Sequence, residues 1–95
     1  MDREYRDVVI ETYRNQGEAS SSAIRARPIA GQGLSTSMKV ECSSKMRDTH
    51  PPGTLFRVRA KVISREGGPD FLYTNHAWKY QVISRDEANA LLRDG

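Results

Sequence analysis

The sequence predicts an α+β, β-rich domain: a bent antiparallel sheet of about five strands, with an N-terminal helix and a short C-terminal helix. Three observations carry this expectation. Between Gly53 and Ser84, apolar and polar residues alternate through LFRVRAKVI, DFLYT and AWKYQVI, the period-two pattern of half-buried strands. Turn-forming residues separate these runs, above all Thr49-His50-Pro51-Pro52-Gly53 and Glu66-Gly67-Gly68-Pro69-Asp70, where proline fixes φ and glycine frees it. Ser84-Arg85-Asp86-Glu87 has the form of a capping box, a hydroxyl and a carboxylate serving each other's backbone amides at a helix start.

A chain of 95 residues forms a single domain, 1–95, with room for one modest core. Five short strands at this size suggest a sheet curled on itself, a small barrel of SH3-like or OB type. In chain order, residues 1–16 are expected to be helical. Tyr5, Val8, Val9, Thr12 and Tyr13 share one face at helical spacing, Asp2 is placed to cap the start and Gly17 to end it. The competing expectation is a strand through Asp7–Tyr13, because Val8, Val9 and Ile10 are β-branched. Residues 17–22 (GEASSS) form a flexible joint, and residues 23–84 the β-rich core.

Within that core, Ile24 and Ala26 alternate with Arg25 and Arg27 up to Pro28, which lacks a ladder donor and predicts an edge or an end. Gly31-Gln32-Gly33 is a loop. Met38, Val40 and Cys42 alternate with Lys39, Glu41 and Ser43 in a second strand, and Ser43–Asp48 suits a single helical turn. Phe56, Val58, Ala60 and Val62 form the buried face of the third strand, and Phe71–Thr74 is the fourth. Trp78, Tyr80 and Val82 are expected inward on the fifth, with Lys79 and Gln81 outward. The helix at 85–93 turns Ala88, Leu91 and Leu92 inward.

The net charge of +3 is unevenly spread: residues 1–22 carry −2, residues 23–61 carry +6 and residues 62–95 carry −1. The strand pattern puts Arg25, Arg27, Lys39, Arg57, Arg59, Lys61 and Lys79 on the outward side. Such a basic face suits phosphate backbones, whose neutralisation releases condensed counterions. Equally, outward strand positions are polar in any soluble sheet, and cations there discourage edge-to-edge pairing. Glu41 shares this face. With Trp78 and Tyr80 expected in the core, no aromatic platform for bases is evident.

Three further sets are weighed. Cys42 and His50 are close enough in sequence for a thiolate and its base, the minimum of a small enzyme, but Cys42 reads as a core residue. One Cys and two scattered His lack the ligand spacing of a zinc site, and no cofactor is implied. Tyr73, Asn75 and His76 could form a ligand loop between two strands. Finally, Leu55, Ile63 and Ile83 are apolar on an otherwise polar face and need cover, from the N-terminal helix or from a second chain.

The reading is therefore a binding module making protein–protein or homodimer contacts, with nucleic-acid binding through the basic face as the alternative and a small enzyme near Cys42 and His50 as the second. The lone cysteine, the charged start and the lack of a membrane-length apolar run point to the cytoplasm and away from a membrane partner.

Overall fold

The first fifteen residues overturn the helix expectation. In the computed structural model, which describes residues 5–17, 23–64, 66–74 and 79–94, strand β1 (Arg6–Arg14) occupies this place. It is followed by β2 (Ile24–Pro28), β3 (Lys39–Glu41), helix α1 (Ser44–Asp48), β4 (Leu55–Ile63), β5 (Phe71–Tyr73), β6 (Gln81–Ile83) and helix α2 (Arg85–Asp94). The physical reason for the strand is burial on both faces. Val8, Val9 and Ile10 are consecutive and all at most 3% exposed, which no single helical stripe allows. A strand covered on both sides does, and β-branched residues suit it.

The six strands form a nearly closed, barrel-like mixed sheet. The order is β2-β1-β4-β5-β3, with β6 also on β4. β4 is the hub: β1 runs antiparallel along one edge, while β6 pairs at Leu55–Arg57 and β5 at Lys61–Ile63 along the other. One pair departs from the all-antiparallel expectation. β3 and β5 run parallel, Val40 beside Leu72, because the chain crosses from β3 through α1 and the whole of β4 before returning. Pro28 closes β2 at the end of the strand order, as an absent ladder donor requires.

Two cores result. Inside the curl, Val8, Ile10, Ala26, Phe56, Val58, Ala60 and Leu72 pack with Met46 of α1. Outside it, Val9, Ile29, Leu55, Ile83 and Ala88 pack beneath α2, with Leu91 and Leu92 against them. The apolar residues Leu55 and Ile83 are thus covered by the C-terminal helix, and among the described residues Arg6–Arg14 is strand rather than the expected helix. The α2 capping box is formed: Glu87 N donates to Ser84 Oγ at 3.1 Å and Ser84 N donates to Glu87 Oε1 at 3.0 Å.

The fifth strand departs from expectation in part. Lys79 and Gln81 are exposed as expected, but Tyr80 is 38% and Val82 52% exposed, and Ile83 is the buried residue of β6. The deciding partner is α2, which buries Ile83. Val62, expected inward, is 40% exposed, since it lies beyond the part of β4 that β1 covers. Trp78, the three residues before it and residues 18–22 of the joint lie outside the described residues. No described helix is long and apolar enough to cross a membrane.

Candidate functional site

With β1 as a strand, its odd-numbered side chains stand between the arginines of β2 and β4. Arg27 lies opposite Glu11 and Arg25 opposite Tyr13. Arg59 lies opposite Asp7 and Arg57 opposite Val9. Two carboxylates therefore sit inside the cationic row, each between two guanidinium groups. Arg57 Nη2 donates to Asp7 Oδ2 at 2.7 Å, and Arg59 Nη1 lies 3.8 Å from Asp7 Oδ1. Arg27 Nε donates to Glu11 Oε1 at 3.1 Å, and Arg85 Nη2 of α2 approaches Glu11 Oε2 at 3.5 Å. These pairs are exposed and add little stability. Their effect is on the field: among the described residues four guanidinium groups, Arg27, Arg57, Arg59 and Arg85, are set against two carboxylates, Asp7 and Glu11.

The same strand brings two tyrosines to the face. The guanidinium of Arg27 lies over the Tyr13 ring, 4.5 Å from its centroid, and Lys61 Nζ lies 4.9 Å from that of Tyr5. A third, Tyr73, sits opposite Lys61 on β5. The period-two pattern of Tyr5, Asp7, Val9, Glu11 and Tyr13 was the signal for all of this, and reading the segment as a helix hid it. Of the seven cations expected on the face, Arg25, Arg27, Arg57, Arg59 and Lys61 are brought together. Lys39 lies at the far end, opposite Phe71 on β3, where Glu41 offsets it. Lys79 is exposed ahead of β6.

No hydrogen bond joins Cys42 and His50. His50 Nδ1 is 3.1 Å from the Met46 carbonyl and 3.1 Å from Thr49 Oγ1. A carbonyl only accepts, so Nδ1 carries the proton and faces the chain's own turn. The ring meets Phe56 and Tyr80 edge-on, at centroid distances of 5.1 and 6.2 Å, and Phe56 meets Tyr80 at 5.4 Å. His50 is thus the third member of an aromatic cluster under the Pro51-Pro52 turn. Burial pushes the Cys42 thiol above its ordinary range, outweighing the opposing charge of Arg47. That is the reverse of an activated nucleophile. Among the described residues no group of His, Cys, Asp and Glu could hold a metal ion.

The ligand loop is only partly visible. Tyr73 ends β5 and, with Glu41, Cys42, Ser43, Ser44 and Thr74, borders a shallow depression. Asn75 and His76 lie outside the described residues. The Gly31-Gln32-Gly33 loop proves structural. The Gln32 side-chain amide extends the sheet where β2 stops, accepting from Val9 N at 3.0 Å and donating to Val9 O at 2.6 Å and Ile29 O at 3.1 Å. Gly31 has φ of 97° and Gly33 of 78°, conformations that favour glycine.

No family model, curated protein or solved structure matches this chain.

Proposed function

We propose that the protein binds single-stranded nucleic acid along the parts of the outer face of β2, β1 and β4 that α2 leaves open. The observation that carries this reading is the joint presence of tyrosines and excess cations on that face. Bases stack on aromatic rings and on guanidinium planes, while Lys and Arg neutralise the backbone. Arg27 over Tyr13 offers both in one place. Arg57, Arg59 and Lys61 recur every second residue of β4, about 6.7 Å apart, which is comparable to the phosphate spacing of an extended single strand. Duplex DNA is a poorer fit, because among the described residues no helix stands out to enter a groove. α2 is packed on the sheet through Ala88, Leu91 and Leu92.

The structure also weakens the main support for a homodimer. Two of the three apolar residues that needed cover, Leu55 and Ile83, have it from α2. A protein-binding reading keeps one specific observation, the exposed Tyr80 just before β6 and Val82 on it, and it would dock an apolar partner there.

Titration of labelled oligo(dT), oligo(U) and a DNA duplex at two salt concentrations tests the proposal. Single strands should bind more tightly than duplex, and their affinity should fall with salt, with a slope of about −0.7 per phosphate contacted. Absence of binding at low salt, or binding indifferent to salt, would overturn it. The second outcome would direct attention to Tyr80 and Val82.

A further inference from the structure

We infer that the cleft between α2 and the start of β1 binds a small amphipathic anion, a carboxylate carrying an apolar body. The cleft measures about 380 Å³ and is lined by Arg6, Asp7, Val9, Gln32, Arg57 and the Leu91–Leu92 pair, with Val8 and Gly31 behind them. That volume lies at the small end of the ~300–1,000 Å³ typical of ligand sites.

Its chemistry is divided. The floor and one wall are apolar, made by buried Val9 and by half-buried Leu91 and Leu92. Gln32, the polar residue beside them, is spent on the backbone of Val9 and Ile29, so it offers an incoming molecule no uncommitted amide. The mouth is cationic. Arg6 Nη2 donates to the Gln32 carbonyl at 3.0 Å, which holds the guanidinium at the rim. Arg57 stands there too. Among the described residues the carboxylate at the mouth is Asp7, already engaged by Arg57 at 2.7 Å and approached by Arg59 at 3.8 Å. Among the described residues positive charge thus exceeds negative at the rim, above a floor that offers only dispersion and burial.

An anionic head on Arg6 and Arg57 with an apolar tail against Val9 and Leu92 satisfies both halves. Gly31 keeps the back wall open: a Cβ there would lie 3.6 Å from Leu92 Cδ1 and would sit on a backbone with φ of +97°. This site shares Arg57 and Asp7 with the sheet face, but its floor faces α2 and Arg6 takes no part in the sheet-face reading, so Arg6→Gln separates the two.

The test is a titration of the isotope-labelled protein with sodium octanoate, followed by backbone amide resonances, with octanol as the uncharged comparison. Octanoate should give saturable shifts centred on Val9, Gln32, Leu91 and Leu92. Octanol should bind at least tenfold more weakly. Arg6→Gln, an exposed change, should weaken octanoate at least threefold while leaving oligo(dT) affinity within twofold. Shifts that do not saturate, shifts scattered over the surface, or equal affinity for octanol and octanoate would each overturn the inference. If oligonucleotide binding fails while octanoate binds as described, the cleft survives and the sheet-face proposal does not.

Discussion

Gln32→Ala should destabilise the protein far more than a half-buried loop residue usually does. In an antiparallel strand the N–H and C=O of one residue point to the same side. Val9 O accepts from Ile29 N at 3.2 Å on the β2 side, so Val9 N points there as well and has Gln32 Oε1 as its partner. Val9 is 3% exposed. Removing the amide leaves a buried N–H unpaired, which costs about 1–3 kcal/mol. A loss near 2 kcal/mol lowers the melting temperature of a domain this size by roughly 8–16 °C. Urea unfolding followed by far-ultraviolet circular dichroism measures the difference, provided the m-value is unchanged. Gln32→Glu adds a diagnostic sign. Its carboxylate would face the carbonyls of Val9 and Ile29, so the folded state holds the proton and the folded pKa rises above the usual ~4.3. The variant should then lose stability relative to the parent as pH rises from 4 to 7. A Gln32→Ala variant within 0.5 kcal/mol of the parent, about the scatter of neutral surface changes, would refute the view that this side chain completes the sheet.

Other expectations follow from the same structure. Ser84→Ala should cost about 1 kcal/mol through loss of the N-cap, and Glu87→Ala should add little to it because the two groups serve one motif; chemical denaturation of the three variants checks this. Phe56, fully buried between the barrel core and the His50–Tyr80 cluster, should cost about 3–5 kcal/mol as Phe56→Ala, whereas Val82→Ala, at 52% exposure, should cost almost nothing. The Cys42 thiol should react slowly with iodoacetamide at pH 7, with a rate still climbing above the ordinary thiol pKa. Since burial favours its neutral form in the fold, its contribution to stability is present at neutral pH and declines as pH rises from about 8.5 through the raised value. A Cys42→Ala variant should lack that alkaline loss.

What the sequence revealed depended on whether local pattern and tertiary partner agreed. Ser84 to Glu87 and the Pro28 edge were legible because their physics is local: a cap within one turn and a missing donor. The alternation in Phe56, Val58 and Ala60 was legible because one side of β4 meets the barrel core along that stretch. β1 was misread because Tyr5, Val8, Val9, Thr12 and Tyr13 satisfy helical spacing by coincidence, and only pairing with β2 and β4 decides between the two periods. That one error hid the acids and tyrosines of the outer face. β6 was misread because α2, not the barrel, buries Ile83, a choice made by an element outside the strand itself. The cleft was invisible for a related reason: Arg6, Gln32 and Leu92 meet only once α2 lies on the sheet.

The most direct test of the sheet-face proposal changes its charge pattern in opposite directions. Asp7→Asn removes the carboxylate that engages Arg57 and Arg59, and Arg57→Gln with Arg59→Gln removes the cations themselves. Oligo(dT) affinity measured by fluorescence anisotropy at low salt should rise several-fold for the first variant. It should fall at least tenfold for the second, with a shallower salt slope. Equal affinities for parent, Asp7→Asn and the double variant would contradict the claim that this face binds the nucleic-acid backbone.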